Sequence, residues 1–176
     1  MSIFIKFSCN KDLISNFMVF IFNFLFIHVN WYSYIFRIKT FNCSRLRTEY
    51  VLKTDDDMYI NVRKLYELAQ ANRKPNLLVG SLICNAVPIK DPHNKWFVPT
   101  YMFKEKKFPN YLSGTGYLMQ REVARKLYAA SLETPLFHLE DIYLTGILSR
   151  YTSQGYFPYI LYSDTFQIYV TGILSS

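Results

Sequence analysis

Residues 50–61 read Tyr50-Val51-Leu52-Lys53-Thr54-Asp55-Asp56-Asp57-Met58-Tyr59-Ile60-Asn61, an apolar run that passes straight into three carboxylates. Adjacent carboxylates repel one another, so a folded chain keeps them together only where a cation shares the site or water reaches all three. An apolar run ending in acidic residues reads as a strand that leaves the core and delivers carboxylates at its carboxyl end. Open α/β sheets bind ligands at that end. Carboxylate oxygens there suit hard divalent ions such as Mg²⁺ or Mn²⁺, often bound together with substrate phosphates. A solvated acidic turn leading into the next helix, with Asn61 as its N-cap, reads the same residues equally well.

Strand and helix signals alternate outward from this stretch. Residues 49–53 form the strand, and residues 61–72 follow as a helix with Val62, Leu65, Tyr66 and Ala69 on one face. Lys74-Pro75 ends that helix, and residues 77–83 read as a second buried strand. Residues 85–107 are loop-like, with Pro88, Pro92 and Pro99 and aromatic residues around Trp96 and Tyr101. Residues 111–119 make an interrupted strand carrying Ser113-Gly114-Thr115-Gly116, and residues 122–132 a helix before Pro135. A last helix spans 138–150, with Leu139, Ile142, Tyr143, Gly146 and Ile147 facing inward. This alternation predicts an α/β fold with a mixed sheet.

The chain has 176 residues, enough for one domain, and its apolar fraction of 51% and aromatic fraction of 18% are high for a soluble one. Much of the excess lies in residues 1–47. Residues 13–36 (LISNFMVFIFNFLFIHVNWYSYIF) contain no Asp, Glu, Lys or Arg and are long enough to cross a bilayer, which predicts a membrane anchor. Basic residues after the run favour a cytosolic carboxyl-terminal side by the positive-inside tendency. The net charge of +7 is spread thinly, with no reading element for nucleic acid. Cys9, Cys43 and Cys84 give neither a disulfide framework nor metal-ligand spacing. Asn42-Cys43-Ser44 matches the N-glycosylation acceptor pattern.

Glu140-Asp141 is the second acidic site, at a helix start whose positive end stabilises carboxylates. Together with the triplet it offers a division of labour, one acidic group for a metal and another for proton transfer. The glycines of Ser113-Gly114-Thr115-Gly116 let backbone approach a ligand closely. In the tail, residues 151–176, the octapeptide Ile142-Tyr143-Leu144-Thr145-Gly146-Ile147-Leu148-Ser149 returns as Ile168-Tyr169-Val170-Thr171-Gly172-Ile173-Leu174-Ser175. Phe166-Gln167 stands before the second copy where Glu140-Asp141 stands before the first.

The motifs EYVLKTDDDMYIN (49–61), Val79-Gly80, Lys95-Trp96, FPNYLSGTGYLM (108–119) and LEDIYLTG (139–146), in this order, resemble the β1,3-galactosyltransferase-like hexosyltransferases over residues 48–150. The resemblance implies a GT-A nucleotide-sugar fold and inverting transfer of galactose or N-acetylglucosamine from UDP-galactose or UDP-N-acetylglucosamine. It further implies β1,3 linkage to a glycan acceptor on a glycoprotein or glycolipid, in a single-pass type II protein of the Golgi membrane with its catalytic part in the lumen. By position, Asp55, Asp56 and Asp57 match the family's Asp-x-Asp: Asp57 and Asp55 would hold Mn²⁺, and Asp55 and Asp56 would lie by the nucleotide. Asp141, with Glu140 beside it, matches the general base, kept ionised by the helix end. Trp96, Gly114 and Gly116 would line the sugar site. The family's strand–helix portion before the Asp-x-Asp is not evident in residues 1–47, no His follows His138, and Leu112 stands where members often have Cys. These departures make an inactive, membrane-attached remnant of such an enzyme the alternative expectation.

Overall fold

The computed structural model describes residues 17–22, 49–55, 58–72, 75–151, 160–162 and 170–172. Its centre is a five-stranded mixed sheet of β1 (Phe17–Phe22), β2 (Tyr50–Asp55), β4 (Leu78–Ile83), β5 (Tyr111–Gln120) and β6 (Ile160–Tyr162), in the order β1-β2-β5-β4-β6. The inner pairs β2–β5 and β5–β4 are antiparallel, while the outer pairs β1–β2 and β4–β6 are parallel. A separate antiparallel pair joins β3 (Met58–Ile60) to β7 (Val170–Gly172).

Period-2 alternation assigns the two faces of the sheet. Tyr50, Leu52, Leu77, Val79 and Leu118 turn to one face, where they pack with Leu65 and Ala69 of helix α1 (Val62–Ala71). Val51, Leu78, Tyr117 and Met119 turn to the other, against Val123 and Leu127 of helix α2 (Arg121–Ser131) and Ile142, Tyr143 and Leu148 beyond it. Strands covered on both sides become apolar throughout, which is why residues 50–52 and 77–79 read as unbroken runs. Asn61 caps α1, its Oδ1 accepting from the backbone N–H of Lys64 at 3.1 Å. The capping half of the sequence reading therefore holds, without displacing the ligand half.

One expectation is corrected, and another falls mostly outside the described residues. The predicted bilayer-crossing run at 13–36 contains, at Phe17–Phe22, a strand that runs parallel to β2 from Phe17 beside Tyr50 to Phe22 beside Asp55. An uncharged run rich in Phe, Val and Ile satisfies a strand as readily as a membrane helix. Among the described residues no helix is long and apolar enough to cross a membrane. Residues 1–47 thus contribute a sheet strand; the remainder of that segment and Asn42 lie outside the described residues.

The correction concerns the last helix. Residues Ile142–Ile147 are wound as a π-helix that passes into the short helix α3 (Leu148–Tyr151). Thr145, fully buried, donates its hydroxyl to the Asp141 carbonyl at 2.6 Å and accepts the N–H of Leu112 at 2.8 Å. Gly146 lies so near β5 that a Cβ there would sit 3.0 Å from Pro109 Cγ and 3.2 Å from Tyr111 Cβ. Both contacts draw the widened helix onto the strand that carries the glycine segment. π-Turns of this kind are frequent at functional sites.

Candidate active site

The site forms where three elements end together. β2 supplies Lys53 and Asp55 from the face that Val51 shares, because alternate residues of a strand point the same way. β5 supplies the glycine segment. On β4 the register passes from Gly80 to Leu82 while on β5 it passes from Tyr117 to Leu112, so Ser113-Gly114-Thr115-Gly116 bulge out of the β4 ladder. Gly116 remains paired with Thr54, whose hydroxyl donates to the Thr115 carbonyl at 3.1 Å. The start of the π-helix supplies Glu140 and Asp141.

Lys53 joins these pieces. Its side chain is only 4% exposed, and its Nζ donates to Asp55 Oδ1 at 2.8 Å and lies 3.3 Å from Glu140 Oε2. It also donates to the carbonyl of Gly114. Burial works to lower the lysine pKa, but Glu140 and then Asp55 outweigh it, and the pKa ends above 10.5. The cation beside Asp55 is therefore a neighbour in the same strand. Tyr117 donates its phenolic O–H to Glu140 Oε1, so both oxygens of Glu140 are engaged.

Asp141 is placed differently. Its Oδ1 accepts the backbone N–H of Ile142 at 2.8 Å, and the N–H of Gly114 also serves the carboxylate. A Cβ on Gly114 would lie 3.3 Å from Asp141 Oδ2 and 3.5 Å from Lys53 Nζ, so this approach needs a glycine. Burial first, and Glu140 next, push the Asp141 pKa up from 3.8 to about 6. The helix end alone had suggested a carboxylate kept ionised; desolvation outweighs that effect and raises its pKa here. Above pH 6 the group is mostly ionised and can accept a proton.

Asp141 borders a cleft of about 360 Å³ whose walls include Val87, Ile89, Trp96, Phe108 and Tyr111. Burial and then the Asp141 charge raise the pKa of Tyr111, keeping its phenol protonated. Trp96 is 40% exposed at the rim, with Lys95 Nζ 4.6 Å from its ring centroid. Its loop is tied down by the Trp96 N–H to Asn94 Oδ1 at 2.9 Å and by His138, which donates from Nε2 to the Phe97 carbonyl at 2.8 Å. One carboxylate in an otherwise apolar and aromatic cleft suits deprotonating a hydroxyl on a ligand whose body is less polar.

The structure thus brings Asp55, Gly114, Glu140 and Asp141 into one cluster through Lys53, and sets Trp96 in the lining of the cleft that Asp141 borders. Of the acidic pair, Asp141 faces the cleft and Glu140 turns to Lys53 and Tyr117. Gly116 belongs to the sheet ladder. Asp56 and Asp57 lie outside the described residues, and among those described no three His, Cys, Asp or Glu converge on one point. The side chain of Asp55, 32% exposed at the strand end, is a hard oxygen donor that fits a divalent cation completing its shell from a diphosphate. Lys53, Tyr111, Tyr117 and Thr145 carried no functional assignment in the sequence. A lysine inside an apolar strand, and tyrosines at both ends of the glycine segment, were the available signals.

The sequence profile of the galactosyltransferase family matches residues 30–153. The chain belongs to this family. It is 39% identical over 105 residues to beta-1,3-galactosyltransferase 1 of Mus musculus and of Homo sapiens, covering 58% of this chain and 31% of theirs. It is 34% identical over 121 residues to beta-1,3-galactosyltransferase 5 of Mus musculus, covering 64% of this chain and 39% of that protein. The matched part is about a third of the length of these curated galactosyltransferases. Both acidic sites of this family member, at 55–57 and 140–141, fall inside the matched residues.

Proposed function

We propose that this galactosyltransferase-family chain transfers galactose from UDP-galactose to a hydroxyl of a glycan acceptor in β1,3 linkage, with inversion and with Asp141 as general base, on a GT-A-type frame. The observation that carries the reading is Asp141 itself. It is a carboxylate with a pKa raised to about 6, fixed by two backbone N–H groups and facing a cleft that Trp96 and Tyr111 also border. Ionised at neutral pH, it takes the proton of the acceptor hydroxyl as that oxygen attacks the anomeric carbon from the side opposite the departing diphosphate. Trp96 and Tyr111 supply aromatic surface for the less polar side of a sugar and, with the apolar wall, exclude water from the attack. Mn²⁺ bound by Asp55 and Asp57 would offset the charge that builds on the leaving diphosphate. A Golgi-lumenal position is part of the proposal, and glycosylation at Asn42 would report it.

The test is transfer of labelled galactose from UDP-galactose to β-linked acceptors by the full chain and by Asp141→Asn. The amide keeps the shape but accepts no proton, so transfer should fall by about 10²–10⁴-fold while UDP–Mn²⁺ binding stays close to the parent. Asp57→Ala should instead abolish the Mn²⁺ dependence of UDP binding in calorimetry. Parent-level transfer by Asp141→Asn refutes the assignment of the base.

A further inference from the structure

Lys53 holds an ammonium in the interior, and an unmet charge there costs several kcal/mol. An ammonium has three N–H donors and no acceptor. Here three oxygens surround it: Asp55 Oδ1 at 2.8 Å, Glu140 Oε2 at 3.3 Å and the Gly114 carbonyl. The Tyr117 ring lies beside it, centroid 5.9 Å from Nζ. Each oxygen comes from a different element: the end of β2, the start of the π-helix and the bulged part of β5. So saturated, Lys53 is a fixed node and has no donor left to offer a substrate phosphate.

The node reaches the base through one peptide group. Gly114 gives its carbonyl to Lys53 and its N–H to Asp141. Glu140, the other Lys53 partner, is bonded covalently to Asp141. Around Asp141 stand Glu140, Tyr111 and Lys53, so Lys53 is the positive member of an otherwise acidic and neutral set.

We propose that Lys53 is a positioning residue for the base: it fixes Gly114 and Glu140, and thereby Asp141, and its permanent charge offsets the carboxylates gathered around the base. The proposal rests on reading Asp141 as the base, and it joins the donor-side carboxylate Asp55 to the acceptor cleft through a single side chain.

The experiment is ¹³C NMR titration of side-chain carboxyls in the full chain, with the Asp141 signal assigned by its loss in Asp141→Asn. The parent should show a step near pH 6. Lys53→Met should raise the Asp141 step by about one pH unit or more, since an opposite charge at short range is worth about 1–3. Lys53→Arg, which keeps the charge, should leave the step within a few tenths. Glu140→Gln should lower it, and serves as the test if Lys53→Met does not fold. An unmoved step in folded Lys53→Met, or in Glu140→Gln, overturns the proposal. The readout needs no turnover: a shifted step without transfer upholds the coupling of Lys53 to Asp141 while refuting Asp141 as the base, and transfer with an unmoved step refutes the coupling alone.

Discussion

Asp141 is held in the folded chain with its pKa at about 6 instead of 3.8, burial being the larger cause and Glu140 the next. The folded state therefore binds this proton more tightly than the unfolded one, and ionising Asp141 costs stability. At about 1.36 kcal/mol per pH unit the displacement comes to about 3 kcal/mol. The sign follows from linkage. Below pH 3.8 both states are protonated and there is no cost; between 3.8 and 6 the cost grows; above 6 it is fully present. Asn imitates the protonated carboxyl, so Asp141→Asn should be more stable than the parent by up to about 3 kcal/mol at pH 7.5, and equal to it near pH 4. For a chain of this length that is a rise in Tm of roughly 6–12 °C. Paired urea or thermal unfolding of the two proteins at pH 7.5 and pH 4 measures the difference directly. A gap that does not change with pH, or a variant less stable at pH 7.5, would show that Asp141 is not carrying a buried charge. Transfer should vanish in the same variant, a gain of stability at the expense of activity.

Three further outcomes follow from packing. Gly80→Ala places a methyl 3.0 Å from Tyr117 Cβ and 3.3 Å from the Gly116 carbonyl oxygen, and should cost about 1–3 kcal/mol in chemical denaturation by overpacking beneath the bulge. Thr145→Val keeps the volume but leaves the buried N–H of Leu112 without its acceptor, and should cost about 1–3 kcal/mol and speed hydrogen exchange of that amide. Trp96→Ala removes a rim platform with little core around it, so KM for the acceptor should rise about tenfold, the worth of about 1.4 kcal/mol, with Tm nearly unchanged. A fall in kcat alone would refute that placement.

Much of the frame was legible because its signals are local. Residues 50–52 are apolar on both faces, Asn61 is a capping residue, and Glu140-Asp141 opens a helix; each acts over a few positions. Lys53 was not legible. Alternation tells which face it shares with Asp55, but its Gly114 partner is 61 residues away and only the β2–β5 register at Lys53 and Tyr117 brings them together. The same holds for Thr145 and Leu112, 33 residues apart, whose hydrogen bond accompanies the π winding. The run at 13–36 shows the opposite limit: its composition satisfies two environments, and pairing with Tyr50–Asp55 selects the strand at 17–22.

The repeated octapeptide has a consequence for folding fidelity. Ile142–Ser149 and Ile168–Ser175 differ only at Leu144 and Val170, yet Thr145 and Gly146 are helical and buried while Thr171 and Gly172 lie in β7 beside β3. One chain therefore holds two nearly identical candidates for a single slot against β5. The discriminating residues stand just upstream. The correct copy arrives with Glu140-Asp141, whose first carboxylate meets Lys53; the other arrives with Phe166-Gln167. Docked in error, the second copy would leave Lys53 short of a buried counter-charge, a loss worth about 3–5 kcal/mol. The two copies are thus told apart upstream of the repeat: only the first brings a carboxylate to Lys53.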